Sequence, residues 1–378
     1  MIRQEFGSLL IYTLCTLLSS VLAMAQVPTI SSFTPTSGPA GTLITITGTN
    51  MSATTAENVV YIGATRAIVQ SATTSQLTVS CPIGATFSPI TVSVNGKTAY
   101  SKELFLPSFQ NTTGEADLFS LASNVPTGNN PEFVYISDID VDGKPDLIVA
   151  NTDDMTISMF RNISATGSLT ADSFAPKVDF PTNRLPWAIV AGDLNGDGKP
   201  DIAVACGGGP NVVYRNISSP GSLTSNSLES DGNFGSGGGG SIIMDDLDGD
   251  GKTDVAATNY GRDSIEVYRN NSTADSIFFD KKASFLSGKM PNKLVVGDLN
   301  GDNKKDLAVC NRNSNTVSVF RNVSNPGVIT ASSFDDKVDF TTGNLATSYP
   351  NSLVIGISTA TENWIWPWPM QMVSASRY

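Results

Sequence analysis

Histidine is absent from this chain of 378 residues, and cysteine is scarce. Histidine is the commonest general base and a usual zinc ligand, so its absence excludes every Ser-His-Asp arrangement and most zinc sites. Of the four cysteines, Cys15 lies near the N-terminus, and the other three, Cys81, Cys206 and Cys310, are widely separated. Their odd number argues against a disulfide framework, and we expect Cys206 and Cys310 to be buried free thiols.

Basic residues are also few. The sequence has 23 lysines and arginines against 35 aspartates and glutamates, which gives a formal net charge of −12. Such an acidic chain is a poor partner for nucleic acid and for anionic membrane surfaces, so we predict neither. Hydrophobic residues make up 40% of the sequence, which is sufficient for two β-sheet cores.

Only one long apolar stretch occurs, at residues 9–22, between Arg3 and the small-residue sequence at 23–25. Threonine and serine interrupt this stretch, which makes it too short and too polar for a stable membrane span. The arrangement is typical of a secretion signal, so we predict a signal peptide at residues 1–25 and no transmembrane segment in the mature chain. The protein is therefore expected to be secreted or displayed at the cell surface.

An acidic nine-residue segment occurs four times, with carboxylate or amide oxygens at positions 1, 3, 5 and 9. We call the copies loops one to four. Their residues at positions 1, 3, 5, 7 and 9 are Asp138, Asp140, Asp142, Lys144 and Asp146; Asp193, Asn195, Asp197, Lys199 and Asp201; Asp246, Asp248, Asp250, Lys252 and Asp254; and Asp298, Asn300, Asp302, Lys304 and Asp306. The copies begin 55, 53 and 52 residues apart, and a repeat of this length indicates a solenoid or a propeller.

The spacing within each copy predicts a calcium loop. Ca²⁺ takes roughly six to eight oxygen ligands at about 2.3 to 2.6 Å, and alternate side chains of a tight loop converge on one centre. Position 6 needs a positive φ, which glycine adopts freely and Asn303 with modest strain, while position 7 supplies only its main-chain carbonyl. We predict about four Ca²⁺ sites, with weaker binding in the loops where Asn195 or Asn300 replaces an aspartate.

The segments around the loops predict strands. Short apolar runs rich in β-branched residues follow the loops, as at 147–150 and 202–205, and similar runs precede them, as at 187–190. Segments such as 156–161 alternate apolar with polar residues, as half-buried strands do, and a fourth run such as 177–180 closes the unit. Four strands per repeat make one propeller blade.

These units resemble the FG-GAP or VCBS repeats of integrin-alpha-like β-propellers over roughly residues 115–356. The resemblance implies that the acidic loops lie at the edge of each blade, on the face away from the usual ligand surface. Calcium would then brace the blades and would not itself recognise a ligand.

An aromatic residue, an arginine and an asparagine recur in each unit, as at 160–162 and 268–270. One interpretation is a binding ladder, but alternating strands bury one residue and expose the next by default, so we interpret the motif as structural. Each asparagine also begins an Asn-x-Ser triplet. That triplet fits either a glycosylation acceptor or a turn at the end of a strand.

A different pattern precedes the repeats. Proline and glycine turns separate period-2 segments such as 43–47 and 90–94, which is typical of a small β-sandwich. Residues 28–48 resemble the opening of an IPT/TIG immunoglobulin-like domain, which we place at 27–107, with a polar linker at 108–118. The expected fold class is all-β, with an immunoglobulin-like β-sandwich followed by an incomplete β-propeller of four-stranded blades.

The C-terminal residues 357–378 depart from the repeat. Up to Gly356 the chain repeats a strand that precedes an acidic loop, but the tail then holds three of the four tryptophans and no such loop. Reading each codon from its third base restores a strand-like sequence, so we interpret the tail as a frameshift product and not as an aromatic membrane or carbohydrate contact. The propeller at 119–356, with about four complete blades, is then expected to have open edges and low stability.

These features predict a calcium-binding protein that binds an extracellular protein or carbohydrate ligand, for example in adhesion. The alternative is an extracellular polysaccharide-processing enzyme, or its accessory fragment, with chemistry based on carboxylates alone. The four loops hold 14 of the 35 acidic residues, which leaves few for catalysis. We therefore predict no catalytic residue.

Overall fold

The structure, a computed structural model, describes residues 26–108, 124–165, 170–342, 349–356 and 372–376. The predicted signal peptide lies outside these ranges. All but the first residue of the predicted linker and most of the predicted aberrant tail do so as well.

The N-terminal part is a β-sandwich of eight strands. The strands are β1 (Thr29–Thr34), β2 (Ser37–Gly38), β3 (Leu43–Thr49), β4 (Val59–Ile62), β5 (Thr65–Ala72), β6 (Gln76–Ser80), β7 (Ser88–Val94) and β8 (Lys97–Pro107). The strand order is β1-β3-β6-β5-β4-β7-β8-β2. Alternate residues such as Ile44, Ile46 and Val60 are fully buried in one core, and each contributes roughly 1.5 to 3 kcal/mol of burial free energy.

Four sheets of four antiparallel strands follow. Blade one comprises β9 (Pro131–Ser137), β10 (Asp146–Asn151), β11 (Thr156–Phe160) and β12 (Val178–Pro181); blade two comprises β13 (Leu185–Gly192), β14 (Asp201–Gly207), β15 (Asn211–Asn216) and β16 (Leu228–Phe234). Blade three comprises β17 (Ile242–Asp245), β18 (Asp254–Asn259), β19 (Ser264–Asn270) and β20 (Phe279–Leu286); blade four comprises β21 (Pro291–Gly297), β22 (Asp306–Asn311), β23 (Thr316–Phe320) and β24 (Val338–Thr341). Short 3-10 turns lie at Thr55–Glu57, Ala171–Ser173 and Tyr260–Arg262.

Consecutive strands are neighbours in each sheet, as in a propeller blade. The prediction of an all-β chain, with a sandwich followed by four-stranded blades, is confirmed. The inner strands also approach one another across the array, since Lys293 Nζ of β21 lies 5.8 Å from the centroid of the Phe133 ring in β9.

Each apolar core between blades takes residues from two consecutive sheets. Ile148 and Ile157 of blade one pack with Ile202 and Val204 of blade two, for example. Blades two and three therefore have both faces covered by neighbouring blades. The expectation that the third strands are half-buried is corrected as well, because the polar Ser158 and its neighbours in β11 are fully or almost fully buried.

One further strand pair follows blade four. Strand β25 (Ser352–Gly356) pairs antiparallel with β26 (Met372–Ser376), which lies in the predicted aberrant tail. Leu353 of β25 is buried against blade four. The structure therefore places a short piece of the tail beside the strand that ends at Gly356.

The described part of the chain contains three cysteines, Cys81, Cys206 and Cys310, and all are free and buried. The expectation of buried free thiols at Cys206 and Cys310 is confirmed. No helix in the described ranges has the length and apolar character needed to cross a membrane.

Candidate cation sites

Each acidic loop connects the first strand of a blade to the second, so all four copies occupy equivalent places in the repeat. The backbone at position 6 turns as the sequence predicts. Gly143, Gly198, Gly251 and Asn303 have φ of +88°, +84°, +85° and +68°. The sharp turn lets the main-chain N–H of position 6 donate to the carboxylate at position 1, with distances of 3.1, 2.9, 2.9 and 2.9 Å in loops one to four.

The carboxylates at positions 1, 3 and 9 converge in two of the loops. In loop one, Asp138, Asp140 and Asp146 each present an oxygen within 4.8 Å of the others, and Asp246, Asp248 and Asp254 do so in loop three. Asp138 Oδ1 is buried and has no hydrogen-bond partner in the protein. Buried polar atoms normally have a partner, and carboxylate oxygens are the ligands that hard cations prefer. The unpartnered oxygen in this acidic cluster is therefore consistent with a cation site.

Burial of these carboxylates changes their protonation. Loss of solvent, with a smaller contribution from the neighbouring carboxylates, raises the pKa of Asp138 to about 6, of Asp246 to about 7 and of Asp146 to about 8. Raised carboxylate pKa values are expected at an acidic cation site in the absence of the positive charge of the cation.

Position 5 is held by a local turn. Asp142 Oδ1 accepts the main-chain N–H of Lys144 at 2.9 Å, and the three equivalent distances are 2.9, 2.8 and 2.9 Å. The lysines at position 7 direct their ammonium groups to a serine carbonyl, with Nζ–O distances of 3.0, 2.9, 2.9 and 2.7 Å. Because the ammonium groups are held there, the lysines do not neutralise the carboxylate clusters.

The aspartate at position 9 joins each loop to the third strand of its blade. Asp146 is fully buried, and its Oδ2 accepts Ile139 N–H at 3.0 Å while its Oδ1 accepts Asn162 N–H at 2.8 Å. Asp201, Asp254 and Asp306 make the equivalent pair of bonds. These two bonds tie the end of the loop to its start and to the third strand, and Oδ1, which accepts one bond, keeps a further lone pair for a cation.

The asparagines of the Asn-x-Ser triplets are buried and engaged. In each blade the asparagine Nδ2 donates to the main-chain carbonyl at position 8 of its own loop, at 2.8 to 2.9 Å. Asn216, Asn270 and Asn322 also donate to the position-2 carbonyl of the preceding blade's loop, each at 2.8 Å. The structure therefore favours the strand-ending turn over glycosylation, because an acceptor amide must be exposed.

The arginine of the recurring motif has two different roles. Arg161 Nη2 lies 2.9 Å from Asp142 Oδ2 and its Nε 2.5 Å from Asp140 Oδ2, and Arg269 makes the same pair of contacts in loop three at 3.0 Å. Arg215 and Arg321 pair with Glu229 and Asp335, outside the loops.

Loops one and three contain four aspartates and one paired arginine, and loops two and four contain three aspartates and no paired arginine. With the loop lysines left out, the aspartates and any paired arginine of each loop sum to a formal charge of −3. Weaker binding at loops two and four, which the sequence suggested, stays a prediction.

Two family matches agree with this geometry. Residues 138–204 and 246–309, which contain all four loops, match the FG-GAP-like repeat family, and residues 28–106 match the IPT/TIG domain family. The chain carries FG-GAP-like repeats and an IPT/TIG domain. Both predicted resemblances are thus confirmed.

Solved structures show weaker overall similarity. A structural genomics protein of unknown function from Bacteroides thetaiotaomicron is 12% identical, with 88% of this chain and 80% of that chain covered and a TM-score of 0.33. An auxiliary nutrient binding protein from the same organism is 12% identical, with 87% and 93% covered and a TM-score of 0.29. An Agrocybe aegerita lectin that recognises non-reducing terminal N-acetylglucosamine is 18% identical, with 75% and 66% covered and a TM-score of 0.35. No curated protein matches this chain.

The side chains of the FG-GAP-like loops offer oxygen ligands, from aspartates and asparagines. Together with the buried clusters in loops one and three, this donor set can hold a hard metal ion. In loop two the Oδ1 of Asn195 at position 3 accepts Asp197 N–H at 3.1 Å, as in the other loops, but its Nδ2 donates to Ala274 O at 2.9 Å.

The raised pKa values predict that cation-dependent stability grows with pH. An aspartate in the unfolded chain titrates at about pH 4. In the metal-free protein, the raised pKa values of Asp138, Asp146 and Asp246 therefore add their full stability only below that pH. That contribution is lost as the pH rises through their folded pKa values of about 6 to 8. A bound cation requires the ionised carboxylates, so its contribution has the opposite sign.

We therefore expect the Tm difference between calcium-saturated and EGTA-treated protein to widen steadily from about pH 5.5 to pH 8. Apparent cation affinity should rise about tenfold per pH unit for each proton released. Thermal melts of the two forms over this pH range measure the difference. A constant difference would contradict ligation by the buried carboxylates.

Proposed function

We propose that the protein is a secreted or cell-surface ligand-binding protein in which four Ca²⁺ ions brace the propeller blades. FG-GAP-like repeats and IPT/TIG domains are typical of extracellular and cell-surface proteins that bind ligands. The observation that carries the proposal is the buried cluster of Asp138, Asp140 and Asp146, with its unpartnered Asp138 Oδ1.

The ligand chemistry favours calcium over the other common cations. The loops offer only oxygen, and without histidine or a nearby cysteine they lack the ligands that zinc prefers. Mg²⁺ requires near-ideal octahedral geometry and retains several waters, whereas Ca²⁺ accepts six to eight protein oxygens in flexible arrangements. A nine-residue loop with several carboxylates and a main-chain carbonyl offers the many flexible oxygen ligands that suit Ca²⁺.

A bracing role follows from the connections of each loop. The position-2 carbonyls of loops one to three accept a hydrogen bond from the next blade's asparagine, as Ile139 O does from Asn216. The position-9 aspartate ties the same loop to the third strand of its own blade. A cation that fixes the loop thereby fixes the contact between two blades.

Calorimetry tests the number and location of the sites. We expect about four Ca²⁺ per chain, and about three in the Asp246→Ala variant, because position 1 is lost from loop three alone. The matched control is Asp336→Asn, which changes an exposed acid outside the loops and should leave four. Absence of calcium heat, or an unchanged stoichiometry in Asp246→Ala, would refute the proposed sites.

The ligand in this proposal is an extracellular protein or carbohydrate, bound without turnover, as in adhesion. A glycan array with and without EGTA separates carbohydrate binding from binding of protein ligands, and it shows whether binding depends on the cation. Release of cleaved glycan from the array would instead support a polysaccharide-processing enzyme.

A further inference from the structure

The IPT/TIG domain packs against the FG-GAP-like loops, beginning with loop one. Asp138 N–H donates to Ala64 O at 2.9 Å, and Arg66 N–H reaches Asp138 Oδ2 at 3.5 Å. Both sandwich residues lie at the β4–β5 hairpin. The residue at position 1 of the loop is therefore also a contact of the other domain.

Loop two makes a closer approach to the same domain. Tyr61 Oη donates to Gly198 O, the position-6 carbonyl, at 3.2 Å. A Cβ atom placed on Gly196 would lie 2.5 Å from Gly96 Cα, so the two main chains are nearly in contact. Glycine at both positions is what permits this approach.

Loop three is contacted by the start of β8. Thr98 N–H donates to Gly251 O at 2.5 Å, and Lys97 Nζ donates to Asp250 O. These acceptors are the main-chain carbonyls at positions 6 and 5. A Cβ atom on Gly251 would lie 2.8 Å from Val27 Cγ1, so this loop is also closely packed.

Loop four differs from the other three. Among the described residues, no hydrogen bond joins loop four to the sandwich, although Lys305 Nζ lies over the Tyr100 ring, 5.2 Å from its centroid. A Cβ atom on Gly301 would meet nothing within 4 Å. Loop four thus serves as an internal control, since it has the same type of cation ligands but no hydrogen bond to the sandwich among the described residues.

We propose that cation-loaded loops one to three form the docking surface of the IPT/TIG domain, so that Ca²⁺ binding holds the two domains together. The docking surface comprises the carboxylate of Asp138 and the carbonyls of Gly198, Asp250 and Gly251. This inference rests on the proposed calcium sites. It adds a function for them, which is to set the orientation of the N-terminal domain.

The physical reason is that three of the acceptors are main-chain carbonyls at the tip of the turn. Their positions depend on the loop geometry, which a cation fixes and which mutual repulsion of the carboxylates loosens. The cation also weakens the attraction between the acidic loops and Lys97 or Arg66. Even a direct, partly exposed ion pair contributes only about 0 to 1 kcal/mol, so we expect the loss of loop geometry to have the larger effect.

Spin labels on the full chain test the coupling. Lys102→Cys in the sandwich and Asp336→Cys in blade four are exposed sites, and the three native cysteines of the described ranges are buried. We expect one narrow inter-label distance in calcium and a broad distribution in EGTA, measured by double electron–electron resonance.

Two matched glycine variants separate docking from cation binding. Gly196→Ala and Gly301→Ala change position 4 in loops two and four, where φ is +81° and +83°, so the backbone strain is the same. Only Gly196→Ala introduces an atom against Gly96. We expect it to broaden the distance distribution in calcium, while Gly301→Ala keeps the narrow distance of the parent chain.

Calcium calorimetry on the same samples distinguishes failure of the domain coupling from failure of the proposed calcium sites. A narrow distance in both calcium and EGTA, with calcium uptake intact, would overturn the coupling and leave the calcium sites standing. Equal broadening in Gly196→Ala and Gly301→Ala would also overturn it, because strain would then be the cause. Absence of calcium uptake in the parent chain would overturn the proposed function and the coupling together.

Discussion

Removal of calcium with EGTA is expected to lower the Tm of the propeller by on the order of 20 °C or more. A site at a calcium concentration 100 times its Kd contributes about 2.7 kcal/mol to the folded state, so four sites contribute about 11 kcal/mol. That sum is comparable with the whole stability of an ordinary domain, roughly 5 to 15 kcal/mol. For a domain of about 200 residues, each kcal/mol corresponds to about 2 to 4 °C.

Differential scanning calorimetry measures this effect, and re-addition of calcium should restore the original Tm. The matched control is excess Mg²⁺ in the presence of EGTA, which should restore only a small part, because Mg²⁺ does not fill a flexible site with many ligands. If EGTA leaves the Tm unchanged, the hydrogen bonds accepted by the position-9 aspartates are sufficient to stabilise the loops without a cation.

Replacement of Asn270 by alanine is expected to destabilise the protein by about 3 to 5 kcal/mol even with calcium saturating. Asn270 Nδ2 donates to Leu194 O and Thr253 O, each at 2.8 Å, and its Oδ1 accepts Ser272 N–H at 2.8 Å. The variant leaves these three main-chain groups without a partner in a buried region, and each such loss costs about 1 to 3 kcal/mol.

The adjacent Asn271 provides the control. It is exposed, and its main-chain N–H bonds to Phe278 O at 2.8 Å irrespective of the side chain. Asn271→Ala should therefore change the free energy of unfolding by less than about 0.5 kcal/mol. Urea unfolding in calcium compares the two variants, and equal stability of both would contradict a structural role for the triplet asparagine.

The parts of the structure that depend on local geometry could be predicted from the sequence. Glycine or asparagine at position 6 indicated a positive φ, and Gly143 and Asn303 adopt one. The apolar runs after each loop indicated buried strands, and β14 is buried along its whole length. Local spacing was sufficient because the turn and the strand pattern each involve only neighbouring residues.

Contacts between blades could not be predicted in the same way. The third strand of blade two was expected to have one solvent-facing side, but Val212 packs in the core shared with blade one and Val213 in the core shared with blade three. Whether a strand has one covered face or two depends on how sheets pack, and the alternation of residues along the strand does not report it.

The different roles of the recurring arginine also required the structure. Arg161 and Arg215 occupy the same place in the repeat, yet Arg161 pairs within loop one and Arg215 pairs with Glu229. The signal in the sequence was the replacement at position 3, since the arginine pairs with the loop only where that position is an aspartate. The sequence alone does not show that the arginine and the position-3 side chain are neighbours, so this signal could be interpreted only with the structure.

The asparagine contacts also have a direction along the chain. Asn216, Asn270 and Asn322 each reach back to the loop of the blade before them, so every new blade completes its predecessor. A chain that is synthesised from its N-terminus can therefore assemble the array one blade at a time, in the order in which the blades emerge.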